Sequence, residues 1–169
     1  MNPKRPSRLR FNVGFLLEAD LGTSRITELD YPDVHAEDVT LKPLRGAITM
    51  TRTSEGVYVF GNLQSHLPAN CMRCLEEADQ PIRFRLDDLF FYPPHTAPEG
   101  ERVIGENGFI DLAPLIRELS ILALPIRPLC QPDCAGLCQE CGQNLNEADC
   151  GCETDDIDPR FAKLKELLE

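Results

Sequence analysis

The stretch CQPDCAGLCQECGQNLNEADCGC, residues 130–152, holds six of the eight cysteines in the chain. The other two form a CxxC pair upstream, so the thiols fall into four close pairs: Cys71/Cys74, Cys130/Cys134, Cys138/Cys141 and Cys150/Cys152. Two thiolates this close in sequence reach one metal ion from a single turn, and a tetrahedral Zn²⁺ needs two such turns. The four pairs therefore predict one or two structural zinc ions, and all eight cysteines are candidate ligands.

Disulfides are the main alternative to metal binding. The start of the chain, MNPKRPSRLRFNVGF, has basic residues but lacks the long apolar run and the small-residue cleavage site of a secretory signal. We therefore expect a cytoplasmic, reducing location, where paired cysteines are typical of metal ligands or redox groups. Four thiolates accept iron as well as zinc, so the sequence leaves the identity of the metal open.

The pairing of the cysteines into sites has two solutions. In the first, Cys138 and Cys141 form a zinc knuckle, with Gly142 permitting the close turn, and join Cys150 and Cys152. The Cys71/Cys74 pair then joins the Cys130/Cys134 pair across the fold. In the second, the four cysteines between residues 130 and 141 share one ion. We favour the first solution, because it places all eight thiolates in closed sites.

Length, hydrophobicity and charge limit the class of protein. The chain has 169 residues, 42% of them hydrophobic, which suffices for one ordinary domain and an appendage. No apolar run approaches the roughly 20 residues that span a bilayer, so we expect no membrane partner. A formal charge of −11 argues against broad coating of nucleic acid, so any RNA contact is expected to be local.

The first 110 residues or so have the pattern of β-strands. Alternating apolar residues predict strands over residues 8–18, 39–53, 57–67 and 82–86, with a hairpin turn at 53–56 and a reversal at 71–74. Residues 20–38 are less regular, and residues 92–108 read as a loop rich in proline, glycine and glutamate.

Helical spacing replaces strand alternation at residues 111–124. Asp111 is the expected N-cap, and the apolar stripe that packs on the sheet comprises Leu112, Leu115, Ile116, Leu119 and Leu122/Ala123. A second, short helix is predicted after Asp158-Pro159. The prediction is an α+β protein with a mainly antiparallel β domain at 1–129 and a cysteine-rich, metal-ordered tail at 130–169 that ends in the short helix.

Several of these motifs, taken in order, resemble the YceD family. They are the run CMRCLE at 71–76, residues 111–129 with Leu124-Pro125 and Pro128-Leu129-Cys130, the tail from Cys134 through Cys152, and the ending DPRFAKL at 158–164. The resemblance covers roughly residues 10–168. The family is also called the large ribosomal RNA subunit accumulation proteins.

The resemblance implies a non-catalytic factor in the synthesis, processing or stability of large-subunit rRNA, with rRNA or a ribosome-associated protein as the partner and no small-molecule substrate. Local basic groups are the candidate contacts: Arg5, Arg8, Arg10, Arg73, Arg83 and Arg85. Arg73 has a second interpretation, because it lies between two cysteines and would neutralise their thiolates.

Two enzymatic hypotheses are the alternatives. His35-Ala36-Glu37, followed by Pro68 and the Cys71/Cys74 pair, is a near miss of the zinc deaminase signature, because the proline is not adjacent to the first cysteine. Thiol–disulfide chemistry at Cys71/Cys74 or Cys138/Cys141 is the other, but a redox CxxC normally opens a helix. His66 is a further possible ligand, although a strand histidine is more often a surface residue.

Overall fold

Residues 8–152 are described by a computed structural model of the chain, and eight strands and two α-helices run through them. The strands are β1 (Arg10–Asn12), β2 (Ser24–Tyr31), β3 (Val34–Ala36), β4 (Val39–Leu41), β5 (Leu44–Arg52), β6 (Gly56–Asn70), β7 (Glu77–Phe91) and β8 (Phe109–Asp111). The helices are α1 (Gly14–Leu17) and α2 (Ala113–Leu122). The mainly antiparallel α+β class predicted from the sequence is confirmed.

The main sheet has four antiparallel strands in the order β2-β5-β6-β7. The turn predicted at residues 53–56 is confirmed, since the Thr53 N–H donates to the Gly56 carbonyl at 2.9 Å. Gly56 is required there, because a Cβ atom would lie 2.0 Å from the Phe90 carbonyl oxygen of the neighbouring strand. Two smaller sheets, β1 with β8 and β3 with β4, flank the main one.

The hairpin of β6 and β7 is longer than the strand beside it. The two strands pair from Gly56↔Phe91 to Asn70↔Glu77, whereas β5 pairs with β6 only as far as Arg45↔Gln64. The last six residues of β6 therefore form a two-stranded arm with the start of β7. The Cys71–Cys74 turn closes the arm at its tip, as the sequence predicts.

The core lies on one face of the main sheet. Alternate residues of β7 are buried there, with Ile82 and Leu86 at 2% and 0% exposure, and Leu112 and Ile116 cover them from the α2 side. The intervening arginines, Arg83 and Arg85, point to the opposite, exposed face. One face of the sheet is thus covered, and the other is open to solvent.

The strand predicted at residues 8–18 is wrong beyond Asn12. The Asn12 side-chain oxygen accepts the Gly14 N–H at 2.9 Å, and the Val13 carbonyl accepts the N–H groups of Leu16 and Leu17. These local bonds turn the chain into α1 and leave Phe15 45% exposed. Apolar alternation alone did not reveal the turn.

Two further strand predictions need correction. The strand predicted over residues 39–53 is two strands, β4 and β5, divided at Lys42 and Pro43. The segment at 20–38, read as irregular, contains β2 and β3. In β2 only Leu29 is buried and Ile26 is 68% exposed, so this edge strand lacks the alternation by which the others were found.

The helix predicted at 111–124 is α2, and its first and last turns differ from the prediction. Asp111 ends β8 and is not the N-cap, although its carboxylate accepts the Ala113 N–H at 3.0 Å. Leu122 is 74% exposed and lies off the packed stripe, whereas Ala123 packs against the core. The helix predicted after Asp158 lies outside the described residues. Among the described residues, no helix is long and apolar enough to cross a bilayer.

Candidate metal centres

A tight turn at the tip of the arm presents the first pair of sulfurs. The Cys71 N–H donates to the Glu76 carbonyl and closes the β6–β7 hairpin, while the Leu75 N–H returns to the Cys71 carbonyl at 2.9 Å. Leu75 adopts a left-handed backbone, with φ of 64°, which is uncommon for a residue other than glycine. The turn directs both Cys71 and Cys74 away from the arm towards the segment that follows α2.

The second pair of sulfurs comes from that segment. The Cys71 and Cys134 sulfurs lie 3.7 Å apart, and those of Cys74 and Cys130 lie 3.6 Å apart. All four sulfurs lie within 4.8 Å of one another. We call this group cluster one; three of its cysteines are at most 5% exposed, and only Cys130 is exposed.

Backbone contacts hold the arm and the segment together beside cluster one. Met72 N–H donates to the Pro128 carbonyl at 2.9 Å, and the Gln80 side-chain amide donates to the Leu129 carbonyl at 3.1 Å. The Arg73 guanidinium donates to the Cys134 carbonyl at 2.7 Å, and the Arg73 carbonyl accepts the Leu137 N–H. Arg73 therefore fastens the tail to the arm in addition to placing a positive charge near the thiols.

Asn146 is a further residue of cluster one that the sequence did not single out. Its side-chain amide donates to the Cys134 sulfur at 3.3 Å, and its side-chain oxygen accepts the Ala135 N–H at 2.8 Å. An asparagine between two cysteine pairs reads as a loop residue in sequence. Only the folded tail brings it back to the sulfur of Cys134.

The remaining four cysteines form cluster two within the tail. Cys138, Cys141, Cys150 and Cys152 also have their sulfurs within 4.8 Å of one another. The predicted knuckle is present: the Gly142 N–H donates to the Cys138 carbonyl at 3.0 Å, and Gly142 has φ of +74°. Cys138 is 5% exposed and Cys141 is exposed, so cluster two is the more open of the two.

The grouping of the sulfurs follows the first of the two pairings drawn from the sequence. All eight cysteines are free thiols in the structure. A tetrahedral ion with Zn–S bonds of about 2.3 Å requires sulfurs about 3.8 Å apart. The separations of 3.6 and 3.7 Å in cluster one fit that requirement closely. The donor set of each cluster therefore suits a four-thiolate metal ion.

The thiols of each cluster differ in their pKa values. The backbone N–H of Cys74 lowers the pKa of Cys71 to about 6, and the backbone N–H of Cys141 lowers the pKa of Cys138 to about 7. Although Cys130 is exposed as a residue, desolvation of its sulfur together with the neighbouring Cys134 sulfur raises the pKa of Cys130 to about 12. The neighbouring Cys141 sulfur raises the pKa of Cys152 to about 12. Each cluster thus has one thiol whose pKa is lowered by backbone donors, and a bound dication would favour the thiolate forms of Cys130 and Cys152 as well.

The histidines do not join either cluster. His66 is exposed on β6, and the Nδ1 atom of His35 lies 2.9 Å from the Thr40 hydroxyl in the β3–β4 hairpin. Among the described residues, the candidate metal-binding groups are the two cysteine clusters. The arrangement that a deaminase needs, with His35 beside Cys71 and Cys74, is not formed here.

The arginines proposed as RNA or partner contacts do not form one patch. Arg8 and Arg10 lie at β1, where the Arg10 guanidinium is 4.7 Å from the centre of the Phe109 ring, and Arg73 is at cluster one. Arg83 and Arg85 share the exposed face of the main sheet, and Arg45 of the neighbouring β5 joins them there. Arg5 lies outside the described residues.

Comparison with known proteins gives a consistent result. The family model described as "Large ribosomal RNA subunit accumulation protein YceD" matches residues 59–168, a span that includes every cysteine. An uncharacterized protein of Mycobacterium tuberculosis is 40% identical over 121 residues, which is 68% of this chain and 57% of that protein.

Two further relatives extend the comparison. An uncharacterized protein of Mycobacterium leprae is 34% identical over 131 residues, 75% of this chain and 59% of its own length. An Arabidopsis thaliana protein named large ribosomal RNA subunit accumulation protein YCED homolog 1, chloroplastic, is 37% identical over 170 residues, 83% of this chain and 51% of its own. The chain thus spans between half and three fifths of these relatives. No solved structure matches it.

Proposed function

The chain belongs to the YceD family, and from that membership we propose that it is a non-catalytic accessory factor in biogenesis of the large ribosomal subunit. It acts in the cytoplasm on the synthesis, processing or stability of large-subunit rRNA, by binding rRNA or a ribosomal or processing protein. The observation that carries the proposal is the family match over residues 59–168, whose description names accumulation of large-subunit rRNA.

Zinc in both clusters is part of the proposal. Closed four-thiolate sites are structural, since a catalytic zinc keeps one position for water or substrate. The eight cysteines, Cys71, Cys74, Cys130, Cys134, Cys138, Cys141, Cys150 and Cys152, are its ligands. The metal would supply folding free energy to residues 130–152, which contain little regular secondary structure.

The division into a β-rich domain at 1–129 and a zinc-bearing tail at 130–169 belongs to the proposal as well. Cluster one takes two ligands from each side of that boundary. The tail is therefore an appendage that the metal would secure to the arm.

Depletion of the protein in its native organism tests the function. We expect ribosomal particles separated on a sucrose gradient to lose large subunits, and precursors of large-subunit rRNA to accumulate. A copy that carries Cys71→Ser should fail to restore the subunits, whereas the wild-type copy restores them. An unchanged gradient under thorough depletion would contradict the proposal.

A further inference from the structure

The exposed face of the main sheet carries a group of cationic and amide side chains that we call the arginine face. It consists of Arg45 on β5, Asn62 and Gln64 on β6, and Arg83 and Arg85 on β7. The register aligns Arg45 with Gln64 and Gln64 with Arg83, and it aligns Asn62 with Arg85. The three arginines therefore surround the two amides on a flat surface, with neighbouring strands about 4.8 Å apart.

Two shallow grooves cross this face. One of about 560 Å³ is lined by the whole arginine face, and one of about 550 Å³ continues past Arg45 and Arg83 to His66 and Pro81. None of the lining residues is acidic. In a chain with a formal charge of −11, the grooves gather three arginines, and Asp30 and Asp87 at their margin pair with two of these, Arg45 and Arg85.

An aromatic platform borders the grooves. The Arg85 guanidinium lies 4.7 Å from the centre of the Phe60 ring, and Phe60 stacks on Tyr58 with ring centres 6.5 Å apart. Both rings are half-buried and belong to the exposed face of β6. Aromatic rings and guanidinium planes are the groups on which unpaired nucleic-acid bases stack.

The carboxylates next to the arginine face orient two of its arginines. Arg45 pairs with Asp30 at 3.0 Å, and Arg85 pairs with Asp87, in both cases with the side chains well exposed. Ion pairs this exposed are weak, so another anion can replace the carboxylate at each arginine. Arg83 has no side-chain partner in the part of the chain that the structure describes.

We propose that the arginine face binds a single-stranded segment of RNA. Arg45 and Arg83 contact phosphates, Asn62 and Gln64 contact base edges, and a base stacks at Phe60 and Arg85. This inference rests on the proposed function and narrows its partner to RNA. A ribosomal protein fits the face less well, because such proteins are basic and the arginines would repel them; the acidic remainder of the surface suits them better.

Binding of a fluorescently labelled single-stranded RNA of about 12 nucleotides tests the proposal. The metal-loaded full-length protein is compared with the triple variant Arg45→Glu/Arg83→Glu/Arg85→Glu by fluorescence anisotropy between about 50 and 200 mM salt. We expect the triple variant to lose about 100-fold or more in affinity, and the salt slope to fall by about 0.7 for each phosphate contact removed. Phe60→Leu should lose about tenfold with an unchanged slope.

Arg25→Glu is the matched control. Arg25 is an exposed arginine of the same sheet, but it pairs with the buried Met50 and so lies on the opposite face, over Phe15. It changes the net charge by the same amount per substitution and should leave RNA affinity within about twofold of wild type. Circular dichroism and metal content verify that every variant is folded.

The inference would be overturned if the wild-type protein did not bind RNA, or if the triple variant and Arg25→Glu bound RNA equally well. It would also be overturned if the triple variant kept its RNA affinity and lost binding to a purified large-subunit protein. Expression of the variants during depletion separates this inference from the function. If the triple variant restores large subunits, the function stands and the arginine face is not its RNA site. If depletion leaves the subunits unchanged while RNA binding depends on the arginines, the function fails and the RNA site stands.

Discussion

Cluster one and cluster two have the same four sulfurs but occupy different places in the fold. In cluster one, Cys71 lies 63 positions before its neighbour Cys134, and Cys74 lies 56 positions before its neighbour Cys130. Three of these four cysteines are buried. In cluster two all the ligands come from residues 138–152, and only Cys138 is buried. Closing a long loop constrains the unfolded chain more than closing a short one. Cluster one therefore joins two parts of the molecule, whereas cluster two shapes one loop.

The largest effect is expected from breaking cluster one. Cys71→Ser removes a fully buried ligand at the arm, so the metal content should fall from two ions to one and the tail should lose its attachment. Because structural zinc supplies several kcal/mol or more, the melting temperature of the strands should fall by at least about 10 °C. Elemental analysis and circular dichroism melts measure both effects. A normal melt with one ion lost would show that cluster one does not support the sheet.

Breaking cluster two is the matched test and should have a smaller effect. Cys141→Ser should also reduce the metal content to one ion, but the strands should melt within about 2 °C of wild type, because no ligand comes from the sheet. Cleavage by a protease should begin within residues 138–152. If the two serine variants melt alike, the distinction between a joining cluster and a local cluster is lost.

The sequence predicted the parts of this comparison that depend on local pattern. Alternation found the middle of β6 and of β7, although both strands run further than the predicted 57–67 and 82–86. The cysteine spacing found the reversal at Cys71–Cys74 and the knuckle at Cys138. It left two pairings open, because the four cysteines between 130 and 141 are spaced well enough to share an ion. The long β6–β7 hairpin decides between them by carrying Cys71 and Cys74 to the segment after α2, a tertiary contact with no local signal.

Other elements were missed for related reasons. The edge strand β2 buries only Leu29, so its sequence lacks the apolar alternation of a strand. Because β2 was not predicted, its place beside β5 in the main sheet was not predicted either. Arg45 was not predicted as a contact residue, because it is far from Arg83 in sequence. The two arginines share a face only because β5 and β7 both pair with β6. Asn146 contacts Cys134 only after the tail folds back.

The Cys71–Cys74 turn and the Cys138–Cys141 knuckle offer a paired substitution of intermediate effect. The residue after the second cysteine is Leu75 in cluster one and Gly142 in cluster two, with φ of 64° and 74°. A left-handed backbone costs a residue with a Cβ about 1–2 kcal/mol, and glycine loses part of that advantage through its freedom when unfolded. Leu75→Gly should raise the metal affinity of cluster one, and Gly142→Leu should lower that of cluster two, each by about fivefold. Competition with a chelator measures both changes, and shifts of the same sign would contradict this explanation.

The smallest expected difference is in acid sensitivity. A thiol whose pKa is lowered by folding stabilises the folded state fully at a pH above its ordinary pKa of 9.0. This contribution is lost as the pH falls through the pKa in the folded state, which is about 6 for Cys71 and about 7 for Cys138. Protons should therefore displace metal from cluster two at a higher pH than from cluster one. A chromogenic chelator follows the release, and Cys141→Ser identifies the step that belongs to cluster one. Release of both ions in one step would contradict the expected order.

X-ray absorption at the metal edge of the purified wild-type protein, with the ions counted in the same sample, is the most direct test of the two four-thiolate centres. We predict two ions per chain, each with four sulfur neighbours at about 2.3 Å and no nitrogen or oxygen in the inner shell. A single ion per chain, or a shell that contains histidine nitrogen or water oxygen, would contradict the two closed centres.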